Sequence, residues 1–116
     1  QDIVCPAIYI HFKNEIEPDK YIYQTIAISY PKSKLEHPYD YIEALDTESE
    51  KNIKIYKDSE GYIHNEAENP DVLVVYKALY GSNNVYARPL EMFSGTVDKS
   101  KYPNIKQKFR FQLKES

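Results

Sequence analysis

Val72 to Tyr80 reads Val-Leu-Val-Val-Tyr-Lys-Ala-Leu-Tyr, written VLVVYKALY. Its apolar residues occupy both alternating sets of positions, so the segment is expected to be a central strand covered on both faces. A buried helix shows the same pattern over so short a run, but the β-branched residues Val72, Val74 and Val75 favour the strand. Gly81-Ser82-Asn83-Asn84 follows as a tight turn, since Gly and Asn tolerate positive φ. Val85 to Arg88 returns as the partner strand, Pro89 ends it, and Leu90 to Phe93 is predicted to make one helical turn.

Upstream, Ile8 to Phe12 reads as a first strand, Asn14 to Lys20 as a turn around Pro18, and Tyr21 to Ser29 as a long second strand. Pro31 and Pro38 bracket a loop and are expected outside any strand interior, because proline donates no ladder hydrogen bond. Tyr41 to Leu45 fits either a strand or a helical turn. Ile53 to Tyr56 and Gly61 to His64 flank Asp58-Ser59-Glu60-Gly61, a hairpin signal, and Asn69-Pro70-Asp71 is a second break. Residues 94–108 form a polar connection. Phe109 to Leu113 alternates as a last strand with Phe109, Phe111 and Leu113 inward. The fold class expected is all-β with minor α: a small curled antiparallel sheet or a partly open SH3-like barrel. It forms one domain over 1–116, with 31–71 as an inserted acidic hairpin region. The 12 tyrosines among 116 residues suit half-buried strands.

Charge is unevenly spread. Residues 1–35 balance, 36–71 sum to −8, 72–97 to +1 and 98–116 to +4, for a net charge of −3. A broadly acidic surface repels a phosphate backbone, which argues against a general nucleic-acid binder. The basic C-terminal stretch (Lys99, Lys101, Lys106, Lys108, Arg110) keeps that class open as a third reading. No apolar run is long enough for a transmembrane helix, and no membrane partner is expected. No signal peptide opens the chain, and the Gln1 start points to a segment upstream. The single cysteine, Cys5, fits a reducing, cytoplasmic compartment. One Cys and the widely spaced His11, His37 and His64 do not supply a zinc ligand set, so no metal and no cofactor are expected.

Five segments together resemble a known family: IYIHFK (Ile8 to Lys13), KYIYQTIA (Lys20 to Ala27), VVYKALYG (Val74 to Gly81), VYARPLEMF (Val85 to Phe93) and FRF (Phe109 to Phe111). They resemble the small bacterial and phage family catalogued as domain of unknown function family 1653, whose members read YRHFKG, VVYQALYG and WVRPLEMF. The resemblance covers about half the chain. Ile10 stands where the family has arginine, Asn14 where it has glycine, and Tyr86 where it has tryptophan; a long acidic stretch replaces a short connection. Loss of the first-motif arginine would remove a positive charge if that residue holds an anion. The resemblance implies a compact bacterial or phage protein and supplies no activity.

Arg88 and Arg110 are the only arginines. Arg88, beside Pro89 at a strand end, is placed to present a rigid fork to phosphate or carboxylate. The plainer alternative is an ion pair with Glu91. His11 is a candidate acid, base or pH switch, with Glu15 or Glu17 as its possible support, or else a structural residue. Cys5 lacks any activating signature and reads as an inert thiol. Tyr9, Tyr21, Tyr23, Tyr76, Tyr80 and Tyr86 fall on predicted strands and offer flat faces for a planar ring, or simply fill the core. No phosphate loop, nucleophile elbow or paired-metal motif occurs. Binding rather than turnover is therefore expected. The expected ligand is a small anionic, ring-containing molecule such as a nucleotide, held by Arg88, Tyr80, Tyr86, Tyr76, His11 and Tyr9. In a phage this would sequester a host nucleotide signal. The alternative is a protein-interaction module or inhibitor docking through the acidic stretch 36–71. A homodimer that completes the pocket is a further expectation, with Val72 to Tyr80 contributing to the contact if its covering is incomplete.

Overall fold

The computed structural model describes residues 1–35 and 40–114. Pro38 and His37 lie outside the described residues. The strands are β1 (Ala7–His11), β2 (Ile22–Lys32), β3 (Tyr41–Asp46), β4 (Asn52–Lys57), β5 (Tyr62–Asn65), β6 (Leu73–Ala78), β7 (Val85–Pro89) and β8 (Phe111–Leu113). A 3-10 turn (Phe12–Glu15) follows β1, and the short helix α1 (Leu90–Phe93) follows β7. One sheet runs β5-β4-β3-β7-β6-β2-β1-β8, and β5 also pairs with β2. Six strands therefore close into a barrel, and β1 and β8 extend the sheet beyond β2.

The small all-β barrel expected from the sequence is present, and it is closed. Its construction is two antiparallel three-strand units, β2-β6-β7 and β3-β4-β5, joined by two parallel seams. Leu45 and Asp46 pair with Tyr86 and Ala87 across one seam; Ser29 to Lys32 pair with Tyr62 to Asn65 across the other. The sheet is thus mixed rather than antiparallel throughout. Because β7 and β2 run the same way, and β3 and β5 run the same way, the two seams must be alike; here both are parallel. The acidic stretch read as an insertion supplies β3, β4 and β5, three wall strands with Ala44, Ile53, Ile55 and Ile63 buried. The undecided segment from Tyr41 is a strand, because its outer edge pairs with β4 and its inner edge with β7.

Strand β6 shows why its sequence is apolar on both sets. Leu73 and Val75 join Ala44, Ile53, Ile55 and Ala87 inside the barrel. Val74, Tyr76 and Ala78 face the other way, onto Tyr9, Tyr23, Phe93 and Phe111. The strand is central and covered on both faces, as expected. The turn behind it takes positive φ at Gly81 (60°) and Asn83 (57°). A second expectation does not hold at Pro31, which lies inside β2 and pairs with His64. It sits past Ser29–Leu73, the last pair with β6, so that flank has no ladder for its missing N–H to interrupt. The last strand is shorter than read, with Phe109 only in an isolated bridge to Thr96.

The connection 94–108 is ordered by its own core: Val97 and Ile105 pack with Phe12, and Tyr102 lies against them. The Glu15 carboxylate accepts from the N–H groups of Lys106 (2.9 Å) and Gln107 (2.8 Å), which pins this connection to the 3-10 turn. Lys99 Nζ donates to the carbonyls of Ile105 and Gln107 and closes it on itself.

Candidate functional site

Three segments far apart in sequence converge at the end of β1. His11 ends that strand, and Phe12 and Lys13 open the 3-10 turn. Arg88 lies on β7 and pairs with Val74 on the face away from the barrel interior. Arg110 enters β8, with its N–H bonded to the Gly95 carbonyl. Together with Asp98, Lys101 and Tyr102 of the long connection, they line a cavity of about 330 Å³. Both arginines of the chain and two lysines face one acid, Asp98.

The positions are held by packing and hydrogen bonds rather than by ion pairs. Arg88 Nε donates to the Tyr76 hydroxyl (3.2 Å), and its guanidinium carbon stands 5.5 Å from the Phe111 ring centre. The ion pair with Glu91 does not form; among the described residues no carboxylate lies within 4.0 Å of either guanidinium, and Glu91 lines a different cavity. His11 stacks on Phe12 (4.3 Å between centres) and meets the Phe111 edge at 4.9 Å. Its Nδ1 accepts the Lys13 N–H at 3.2 Å and caps the 3-10 turn. Neither expected carboxylate supports it: Glu15 holds the long connection, and Glu17 pairs with Lys20.

Burial, and then the positive charges of Arg88, Lys13 and Arg110, lower the His11 pKa to about 4, so the ring is neutral at pH 7. Ser100 donates from its hydroxyl (2.6 Å) and its N–H (3.1 Å) to Asp98 Oδ1, which keeps that carboxyl below its usual range. Burial raises the Cys5 thiol, with the Thr25 hydroxyl pulling the other way, in line with an unactivated group.

The tyrosines do not gather at this cavity. Tyr9 is fully buried, and its hydroxyl accepts the Val4 N–H. Tyr76 is buried and reaches the cavity only through Arg88. Tyr80 sits in the turn after β6, not on a strand, and shares a 2.8 Å hydrogen bond with Tyr23. Tyr86 lies on β7 with its ring against Tyr76. Tyr21 likewise precedes β2. The flat rings that do line the cavity are Phe12 and Tyr102, 4.8 Å apart. The residues sequence reasoning missed are Lys13, Phe12 and Tyr102; Lys101 and Arg110 were read only as part of the basic C-terminal stretch, not as partners of Arg88 and His11. A signal existed: Phe12, Lys13, Arg88 and Arg110 lie in three of the family-like segments. Ile10, which replaces the family arginine, does not line the cavity. Of the basic C-terminal stretch only Lys101 and Arg110 do; Lys99 is committed to carbonyls and Lys108 lies over the Phe109 ring.

A second, larger cavity of about 520 Å³ begins one residue past Arg88. Val72, Pro89, Leu90 and Met92 line it together with three acids, Glu48, Asp71 and Glu91. No helix of the described residues is long and apolar enough to cross a membrane. The family described as "Protein of unknown function (DUF1653)" matches residues 61–113, which include Arg88, Asp98, Lys101, Tyr102 and Arg110. No curated protein and no solved structure matches the chain.

Proposed function

We propose, with residues 61–113 placed in the DUF1653 family, that the basic cavity is a non-catalytic site for a small phosphate-bearing ligand with a flat ring, such as a nucleotide. The observation that carries this reading is the convergence of Lys13, Arg88, Lys101 and Arg110 on one hollow in a chain of net charge −3. Folding like charges together without a carboxylate clamp costs free energy, and an anion in the cavity offsets it. Arg88 and Arg110 supply planar forks for oxygens, and Tyr102 supplies an aromatic face for a ring. A neutral histidine with no carboxylate beside it, and an unactivated thiol, favour capture over turnover.

Titration calorimetry with AMP and ADP at low salt tests it. A hydrogen bond to a charged group contributes about 1.5–3 kcal/mol, so Arg88→Ala and Arg110→Ala are each expected to weaken binding about tenfold or more. Affinity unchanged by both substitutions would discard the site. The acid-lined cavity supports the second reading, a docking surface for a basic peptide. In that case an oligolysine peptide binds wild type, Glu91→Lys abolishes its binding, and Arg88→Ala has no effect on it.

A further inference from the structure

The hydrogen bond that caps the 3-10 turn fixes more than a turn. Nδ1 of a neutral imidazole accepts a hydrogen bond only when the ring proton is on Nε2. His11 Nδ1 accepts from the Lys13 N–H, so its Nε2 is the protonated nitrogen. Among the described residues Nε2 has no partner in the fold, and it is not sealed from solvent. Its ring lines the basic cavity.

Lysine and arginine are donors without acceptor capacity. Lys13, Arg88, Lys101, Arg110 and His11 therefore present donors only. The side-chain acceptors at the cavity are the Tyr102 hydroxyl and the exposed Asp98 carboxylate, whose Oδ1 is already taken by Ser100. An oxyanion whose oxygens all accept satisfies such a lining. One that carries a hydroxyl must turn a proton toward a donor or give up a contact, and a mispaired polar group in a part-buried site is costly.

We infer that His11, locked with its proton on Nε2, makes the cavity selective for oxyanions that carry no proton, such as a phosphodiester, a fully ionised phosphomonoester or a sulfate, over protonated phosphate. His11 thus has two jobs, capping with one nitrogen and selecting with the other. This rests on the anion-site reading above and adds the class of anion to it.

Sulfate and inorganic phosphate at pH 8 are the probes. Both are then mainly dianions, and they differ by the proton that phosphate keeps. Nitrogen-15 NMR of the ligand-free protein reports the His11 tautomer, and shift titrations with each salt at fixed ionic strength report binding. The expected results are an Nε2–H signature and sulfate binding at least tenfold tighter than phosphate. His11→Asn, whose shorter side chain keeps a cap for Lys13 but withdraws the donor from the cavity, narrows that margin to threefold or less. An Nδ1–H tautomer overturns the inference whatever binds, as does equal affinity for the two anions. If neither salt moves the signals of Lys13, Arg88 and Arg110, the anion site itself falls, and the selectivity with it.

Discussion

At the scale of single residues, the environment of His11 makes a pH-dependent contribution to stability. Its folded pKa of about 4 lies below the ordinary value of 6.5. Between those limits the unfolded chain binds more protons than the native one, so stability rises with pH. The contribution is complete above 6.5 and is lost as the pH falls toward 4. Protonation also removes the acceptor that caps the 3-10 turn. Urea unfolding at pH 7 and pH 5 is expected to show a larger drop in midpoint for wild type than for His11→Asn. His64 is fully buried and shifted down by burial as well, so it adds a slope of the same sign to both proteins. The position of Arg88 at a strand end was legible in sequence, because Pro89 beside it fixes the backbone. Its neighbours were not, since the convergence of residues 11, 88 and 110 on one cavity depends on strand order, which hydrophobic alternation does not encode.

At the scale of elements, the long connection 94–108 carries Lys101 and Tyr102 to the cavity and is held by one acid. The Glu15 carboxylate takes two backbone N–H groups of that connection, and these bonds lower its pKa. Glu15→Ala leaves the amides of Lys106 and Gln107 open to water. Hydrogen exchange at those two amides is expected to accelerate about tenfold, while exchange in β6 is unchanged. Unchanged protection at 106 and 107 would mean that the Phe12, Val97 and Ile105 cluster holds the connection alone. The composition of 94–108 showed only a polar connection. Its small core is hard to see in sequence because Val97 and Ile105 sit singly between polar neighbours and follow neither a strand nor a helix period.

At the scale of the molecule, the barrel depends on both three-strand units. The buried pair Ser29 Oγ to His64 Nδ1, 2.7 Å apart, lies at the β2–β5 seam. Asn69 Nδ2 donates to the buried Asp46 carboxylate at 2.9 Å and ties the chain before β6 to the end of β3. Burial pushes the Asp46 carboxyl up, but this bond and the N–H groups of Glu48 and Ser49 outweigh it and hold it ionised. Deleting residues 47–68 removes β4 and β5 and opens both flanks of the core. The expected outcome is loss of cooperative thermal unfolding by circular dichroism; a sharp transition in the deletion variant would show that the acidic stretch is dispensable to the fold. Strand positions and turns were readable because alternation and Gly, Asn and Pro placement are local. The parallel seams were not, because six strands can close with two parallel or two antiparallel seams, and the local alternation of residues does not select between them.

Segment 88–92 separates hollows of opposite sign. Arg88 opens on the basic one, and Pro89, Leu90, Glu91 and Met92 on the acidic one. A short anion can settle against the guanidinium while staying clear of Glu48, Asp71 and Glu91. A longer polyanion running past Arg88 along this segment would have to lay its next charges beside those acids. If the basic hollow takes one phosphate group as proposed, this segment sets a ceiling on cargo length in that direction.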